Sequence, residues 1–166
     1  MKRLITSLIG AFFFILASAL PYSTDDIQQG DTVPAFSVIS NQGEAIDTNS
    51  LKNTLAVITF FHTKCYDCRK ELPLIQEMYD TYGQQIKFIC ISRGEPEEQV
   101  SKYWKEHSLT LPYSAQEDKK VFKLFAEKTI PRVYLIDRSG KINYAFKEKV
   151  KKRRLLKAIK HLIQTN

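Results

Sequence analysis

The sequence predicts an α/β domain in which helices flank a central mixed β-sheet. Residues 54–61 form a nearly unbroken run of β-branched and aromatic side chains, which is typical of a strand buried on both faces. Residues 69–82 follow with apolar side chains at helical spacing, and residues 86–92 form a second strand-like run. This strand–helix–strand order predicts a parallel pair. A tight turn around Gly140 predicts an antiparallel hairpin, so the sheet is expected to be mixed.

The other elements can be placed on either side of this unit. Two short runs around a turn at residues 41–43 predict an N-terminal β-hairpin, and Gly83 is positioned to end the first helix. The remaining predicted elements, in chain order, are a helix at 96–107, a helix near 121–125, a strand at 132–137, a strand at 142–146 and a basic helix that closes the chain.

The first residues have the organisation of a secretory signal peptide. Lys2 and Arg3 form a positive end, residues 4–16 form an apolar run, and an Ala-Ser-Ala sequence at 17–19 forms a cleavage site. The sequence therefore predicts export, with a periplasmic location. An uncleaved membrane anchor is the alternative, because the apolar run continues to Leu20 and approaches the length that spans a bilayer.

Length and composition favour one domain after that segment. The chain has 166 residues, of which 43% are hydrophobic and 11% aromatic, enough to close a core without disulfide bonds. The same values exclude a chain that is disordered as a whole. We expect a signal peptide at 1–19, a flexible polar lead-in at 20–29 and a single domain at 30–166.

Positive charge is concentrated near the C-terminus. The formal net charge of +7 falls to +5 without residues 1–19, and residues 147–160 hold eight basic side chains and one acid, Glu148. A nucleic-acid partner would suit so basic a segment, but export argues against it. Apolar side chains at helical spacing, from Leu155 to Leu162, instead predict an amphipathic helix with a solvated basic face. That face leaves open a weak contact with anionic lipid or an acidic partner.

Cys65 and Cys68 form a Cys-x-x-Cys pair where a predicted strand meets a predicted helix. Unsatisfied N–H groups and the helix dipole at that position stabilise a thiolate, and Lys64 adds positive charge. Cys68 lies one helical turn further on, within reach of a mixed disulfide formed at Cys65. We therefore expect Cys65 to be the nucleophile and Cys68 to be the resolving thiol.

Three other uses of the pair are less well supported. Structural zinc needs four ligands, and there is no second cysteine pair. A c-type haem needs a histidine directly after the second cysteine, where Arg69 stands. A purely structural disulfide would close a very short loop and stabilise little. No metal or cofactor is expected. The third cysteine, Cys90, is expected to be a small buried side chain of a strand rather than an intermolecular or resolving thiol.

These features together resemble the thioredoxin superfamily and, within it, the exported thiol–disulfide reductases of the TlpA/ResA type. The resemblance covers roughly residues 30–146. It is carried, in order, by Gly30-Asp31, Pro34 and Phe36, Phe60-Phe61, Cys68-Arg69-Lys70-Glu71-Leu72-Pro73, Thr129-Ile130-Pro131, Tyr134-Leu135-Ile136-Asp137 and Gly140. It implies a thioredoxin-like fold with an N-terminal β-hairpin and an inserted helical element at 93–116.

The resemblance also implies roles for residues around the pair. Pro131 is expected to follow a cis peptide bond and to face the cysteines, with the Ile130 backbone pairing to the substrate chain. Tyr66 and Asp67, between the cysteines, are expected to contact the substrate. Glu71 is expected to assist proton transfer at the thiols. The alternative for Glu71 is a solvated surface position, the common fate of a helix glutamate.

The function expected from the sequence is reduction of disulfide bonds in other exported proteins. The resemblance implies apocytochrome c as one substrate, and a membrane electron donor is expected to restore the dithiol. Two alternatives remain open. One is a thiol peroxidase, to which the Thr63-x-Cys65 sequence has a faint similarity. The other is a metal-binding or redox-sensing module that uses His62, Cys65 and Cys68.

Overall fold

The central sheet is built from the middle and C-terminal parts of the chain. The computed structural model describes residues 26–165. In chain order, the elements of this part are β1 (Ser37–Ile39), β2 (Ala45–Asp47), β3 (Ala56–Phe61), α1 (Tyr66–Tyr82), β4 (Lys87–Ser92), α2 (Glu97–Glu106), β5 (Tyr113–Ser114), α3 (Lys120–Lys123), β6 (Arg132–Ile136), β7 (Ile142–Lys147) and α4 (Lys152–Thr165). Strands β1 and β2 form a separate antiparallel pair, the predicted N-terminal hairpin.

The strand order β5-β4-β3-β6-β7 confirms the predicted mixed sheet. Strand β3 pairs in parallel with β4 and antiparallel with β6, and β7 adds antiparallel to β6 at one edge. Every residue of β3 is buried, as its apolar composition predicts. The sequence does not predict β5, because its two residues are too few to show a periodic pattern. The carboxyl ends of β3 and β4 lie side by side, so the loops that follow them meet at one edge of the sheet.

Apolar side chains pack against both faces of the sheet. On one face, α1, α2 and α4 share a core with inward side chains of β3, β4 and β6. On the other face, α3 and the N-terminal hairpin do the same. Leu155, Ile159 and Leu162 are fully buried, which confirms the apolar stripe predicted for the closing helix. Since burying such a side chain contributes about 1.5–3 kcal/mol, this stripe holds α4 to the sheet while its lysines and arginines stay exposed.

The start of the described chain is attached to the domain. Asp26 accepts a hydrogen bond from Arg132 at 2.7 Å, and Ile27 donates its N–H to the Phe125 carbonyl at 2.8 Å. Asp26 and Ile27, which belong to the lead-in expected at 20–29, are thus hydrogen-bonded to the domain. The signal peptide expected at 1–19 and residues 20–25 lie outside the described residues. Within residues 26–165, no helix combines the length and the apolar character needed to cross a membrane.

Candidate active site

Cys65 occupies the N-cap position of α1, at the end of the loop that leaves β3. Its backbone is extended (φ −78°, ψ 121°), and its Sγ accepts the N–H of Cys68 at 3.4 Å. The first N–H groups of a helix lack partners within the helix, so they and the helix dipole favour negative charge on this sulfur. The side chain is partly exposed, which leaves the sulfur accessible to a disulfide of another protein.

Cys68 lies within the first turn of α1 and is fully buried. Burial raises the pKa of its thiol well above the ordinary range, and the contact with Cys65 raises it further. Both residues are free thiols in the structure. The pair thus combines an accessible sulfur at the start of the helix with a shielded, protonated sulfur one turn further on.

The loop before β6 approaches the cysteine pair. Its Ile130–Pro131 peptide bond is cis, as expected, and the Ile130 carbonyl oxygen lies 3.9 Å from the Cys65 Sγ. Tyr66 and Asp67, the two residues between the cysteines, are exposed, Tyr66 to 68%. The structure therefore places the expected substrate-contacting residues around the one accessible sulfur of the pair.

Glu71 is buried, with 1% of its surface exposed. Its Oε2 accepts the N–H of Val150 at 3.1 Å, from the segment between β7 and α4. Burial raises the pKa of this carboxyl to about 7, while the Val150 hydrogen bond and the nearby Lys149 ammonium oppose the shift. The alternative of a solvated surface glutamate is therefore wrong. A carboxyl that exchanges its proton near neutral pH, one helical turn from Cys68, is suited to proton transfer.

A second buried carboxylate, Glu95, is not among the residues that the sequence predicts for the site. It is 1% exposed and lies in the loop after β4. It accepts the backbone N–H of Thr63 at 2.7 Å and the hydroxyl of the same residue. One carboxylate thus ties the loop that leads to Cys65 to the loop that leaves β4. The available signal was an acid just after a predicted strand, because the ends of neighbouring parallel strands meet at one edge.

His62 lies at the same place and contacts Glu95, with 3.3 Å between its Nδ1 and the carboxylate Oε1. The same Nδ1 accepts the N–H of Lys64 at 3.1 Å. Burial is the main effect on the imidazole and lowers its pKa, although the Glu95 charge opposes the shift. The ring is therefore neutral near pH 7 and uses Nδ1 as an acceptor for Lys64, so its contact with Glu95 is not an ion pair there.

Cys90 lies in β4, in register with Thr59 of β3, and is fully buried, as expected. Burial raises the pKa of its thiol, which keeps it protonated inside the sheet. Among the His, Cys, Asp and Glu side chains of residues 26–165, no three lie together as metal ligands would.

Known proteins share both the sequence pattern and the fold. A sequence model of the AhpC/TSA family matches residues 29–145, well over half of the chain. The thiol–disulfide oxidoreductase ResA of Bacillus cereus is 28% identical over 136 residues, which cover 81% of this chain and 79% of that protein. The thioredoxin domain of a thiol–disulfide oxidoreductase from Bacteroides vulgatus has a TM-score of 0.71 at 22% identity, covering 83% of this chain and 99% of that one. StoA from Bacillus subtilis has a TM-score of 0.66 at 24% identity, covering 76% and 97%. The fold is thioredoxin-like.

Proposed function

Because the chain belongs to the AhpC/TSA family and is a thiol–disulfide oxidoreductase of thioredoxin-like fold, we propose that it reduces disulfide bonds in other exported proteins. Cys65 and Cys68 are the reacting thiols, and Glu71 exchanges protons with them. The observation that carries the proposal is a partly exposed Cys65 at the start of α1 beside a fully buried Cys68. In such a pair, the exposed sulfur first forms a mixed disulfide with the substrate. The buried sulfur then attacks that bond and forms a disulfide within the pair.

The reaction has two exchange steps. The Cys65 thiolate attacks one sulfur of a substrate disulfide, the substrate S–S bond breaks, and the other substrate sulfur leaves as a thiolate that takes up a proton. Glu71 then accepts the Cys68 proton, and the Cys68 sulfur attacks the Cys65 sulfur of the mixed disulfide. The second substrate sulfur leaves and is protonated. The substrate is reduced to a dithiol, and the cysteine pair is oxidised to a disulfide.

The substrate chain would lie along the loop before β6. The Ile130 carbonyl oxygen, 3.9 Å from the Cys65 Sγ, would accept a backbone N–H from that chain. Tyr66 and Asp67 are exposed beside the reacting sulfur and would contact the same chain. Apocytochrome c is the substrate that we propose, and a dithiol donor in the membrane would reduce the Cys65–Cys68 disulfide again by the reverse exchange.

Trapping of mixed disulfides tests the assignment of the two sulfurs. Cys68→Ser should accumulate long-lived mixed disulfides with partner proteins, because the resolving attack is missing. Cys65→Ser should trap nothing and should lose disulfide exchange altogether. Cys90→Ser is the matched control and should behave as the wild type, since its side chain is buried in β4. The measurement is non-reducing electrophoresis of each variant from an exporting host, followed by identification of the bound partners.

The opposite pattern would contradict the proposal. Trapping by Cys65→Ser and none by Cys68→Ser would reverse the roles of the two cysteines. Full activity of both variants would exclude the dithiol mechanism. Rapid consumption of hydrogen peroxide by Cys68→Ser would instead support a thiol peroxidase, which needs only the first cysteine.

The N-terminal sequence supports export of the domain. Lys2 and Arg3, the apolar run and the Ala-Ser-Ala sequence at 17–19 occur in the order that a signal peptidase reads. The mature N-terminus should then lie at or near Leu20, as mass spectrometry of the exported protein can determine. An intact Met1 on a membrane-bound form would contradict cleavage and support an anchored protein.

A further inference from the structure

A basic pocket lies where β7 passes into α4. It is a cavity of about 540 Å³, lined by Ala145, Phe146, Lys147, Lys149, Val150, Lys151 and Arg154. The four cationic side chains around it are all exposed, whereas Phe146 and Val150 form its buried apolar floor. The pocket is therefore a hollow with an apolar base and a cationic rim.

Most of this positive charge lies beyond ion-pair distance of any carboxylate in the described part of the chain. Lys147 lies 3.6 Å from the Asp26 carboxylate. Among residues 26–165, no carboxylate lies within ion-pair distance of Lys149, Lys151 or Arg154. The Arg154 guanidinium instead rests over the Phe146 ring, 5.3 Å from its centre. Three fixed cations around one cavity create a positive potential that attracts an anionic group from outside.

The pocket adjoins the reactive centre. Glu148, between two of the rim lysines, donates its backbone N–H to the carbonyl of Pro131 at 3.0 Å. Val150, in the floor of the pocket, donates its N–H to the Glu71 carboxyl. The segment that shapes the pocket is thus bonded directly to the cis-proline loop and to the buried carboxyl of the site. A substrate chain that lies along the Ile130–Pro131 loop passes close to this rim.

We infer that the basic pocket binds acidic side chains of the substrate polypeptide. These side chains lie next to the substrate cysteines whose disulfide Cys65 attacks. This inference rests on the proposed function. An anionic membrane surface would also suit the charge, but a membrane laid against a pocket beside the cis-proline loop would cover the approach of a protein substrate to Cys65. The enzyme therefore selects protein disulfides flanked by Asp or Glu.

Matched peptides can measure this selection. Two disulfide-bonded peptides would be identical except that three Gln residues beside one cysteine are replaced by three Glu in the second. The wild-type protein, purified from an exporting host, should reduce the acidic peptide with a kcat/KM roughly tenfold higher at low salt, because charge steers the encounter. The ratio of the two values should approach one at high salt, where exposed charges are screened.

Two double variants distinguish the effect of charge at the pocket from the effect of positive charge elsewhere on the surface. Lys151→Gln with Arg154→Gln should bring the ratio of acidic to neutral peptide close to one. Lys102→Gln with Lys105→Gln removes the same charge from exposed positions of α2 and should keep the wild-type ratio. Equal reduction of both peptides by the wild type would overturn the inference and leave the proposed function intact. Reduction of neither peptide would overturn both.

A vesicle assay gives the remaining outcome. Sedimentation with vesicles of equal parts phosphatidylglycerol and phosphatidylcholine should not depend on Lys151 and Arg154 if the pocket serves a polypeptide. Loss of vesicle binding in that double variant, with the peptide ratio unchanged, would assign the pocket to the membrane and overturn the inference.

Discussion

The two buried glutamates beside the cysteine pair have the same exposure and different surroundings. Glu71 and Glu95 are each 1% exposed. Glu71 accepts one backbone N–H, from Val150. Glu95 accepts both the N–H and the hydroxyl of Thr63 and also contacts His62.

This difference shows that burial alone does not decide what a carboxyl group does. With little polar compensation, burial raises the proton affinity, so Glu71 has a pKa of about 7 and can exchange a proton near neutral pH. With two hydrogen-bond donors beside it, both from Thr63, a buried carboxylate holds its partner in place. Substitution of Glu71 should therefore slow the reaction, and substitution of Glu95 should lower the stability of the fold.

The largest effect is expected on the reaction rate of Glu71→Gln. Loss of a general base should slow disulfide reduction about 100-fold near pH 8, or about 2.7 kcal/mol in activation free energy. The wild-type rate should rise through about pH 7 as the carboxylate forms, and the variant should lack this step. Stopped-flow reduction of a model disulfide from acid to alkaline pH measures both. Glu77→Gln, at an exposed position of the same helix, is the control. An unchanged pH–rate profile in Glu71→Gln would mean that this carboxyl does not handle protons.

Glu95→Ala should lower the free energy of unfolding by about 2 kcal/mol, because the N–H and hydroxyl of Thr63 lose a charged acceptor. Urea denaturation followed by far-UV circular dichroism measures the loss. Glu98→Ala, an exposed residue of α2, should change it by less than about 0.5 kcal/mol. Equal stability of the two variants would show that Glu95 does not hold the loop before Cys65.

Glu71→Gln should stabilise the fold at alkaline pH while it slows the reaction. The folded-state pKa of Glu71 is raised from 4.5 to about 7. The stability linked to this group is therefore present below pH 4.5 and is lost as the pH rises through about 7. The glutamine has no charge to bury, so its unfolding free energy near pH 8 should exceed that of the wild type by about 1–2 kcal/mol. Denaturation at acid and alkaline pH tests this. A variant that is less stable than the wild type at both would contradict it.

The smallest effect is expected from His62→Gln, because the imidazole is partly exposed and its contact with Glu95 is not an ion pair near neutral pH. The unfolding free energy near pH 8 should change by less than about 1 kcal/mol. The pKa of His62 is lowered, so the stability linked to it is present above its ordinary value of 6.5 and is lost as the pH falls through the lowered one. As the pH is lowered, the unfolding free energy of the variant should therefore increase relative to that of the wild type. A loss as large as that of Glu95→Ala would place His62 among the groups that hold the loop.

Local patterns account for the parts of the fold that could be predicted. Strand β3 can be predicted from its nearly continuous run of apolar residues. Helix α1 can be predicted from apolar residues spaced so that they lie on one face of a helix. Strand β5 could not be predicted, because its assignment depends on pairing with β4 and not on any pattern in its own two residues. The attachment of residues 26–29 depends in the same way on distant partners.

The residues of the candidate site likewise fall into those that the sequence predicts and those that depend on distant partners. The spacing of Cys65 and Cys68 and their place after a strand are visible in the sequence, and the resemblance to a family added Glu71 and Pro131. Neither local spacing nor the resemblance indicates Glu95, because its partner Thr63 lies 32 positions earlier in the chain. The parallel register of β3 and β4 brings the two together.

Cys90 gives the centre of the sheet a chemical reporter. Its strand is paired on both sides, with Thr59 of β3 and Tyr113 of β5 opposite this residue. Its side chain projects from the sheet into the core that α1, α2 and α4 cover. A thiol reagent can reach the sulfur only when this packing opens, so the labelling rate of Cys90 measures the opening of the core. A molecule found with a disulfide at Cys90 was therefore oxidised before this core closed, or while it was open.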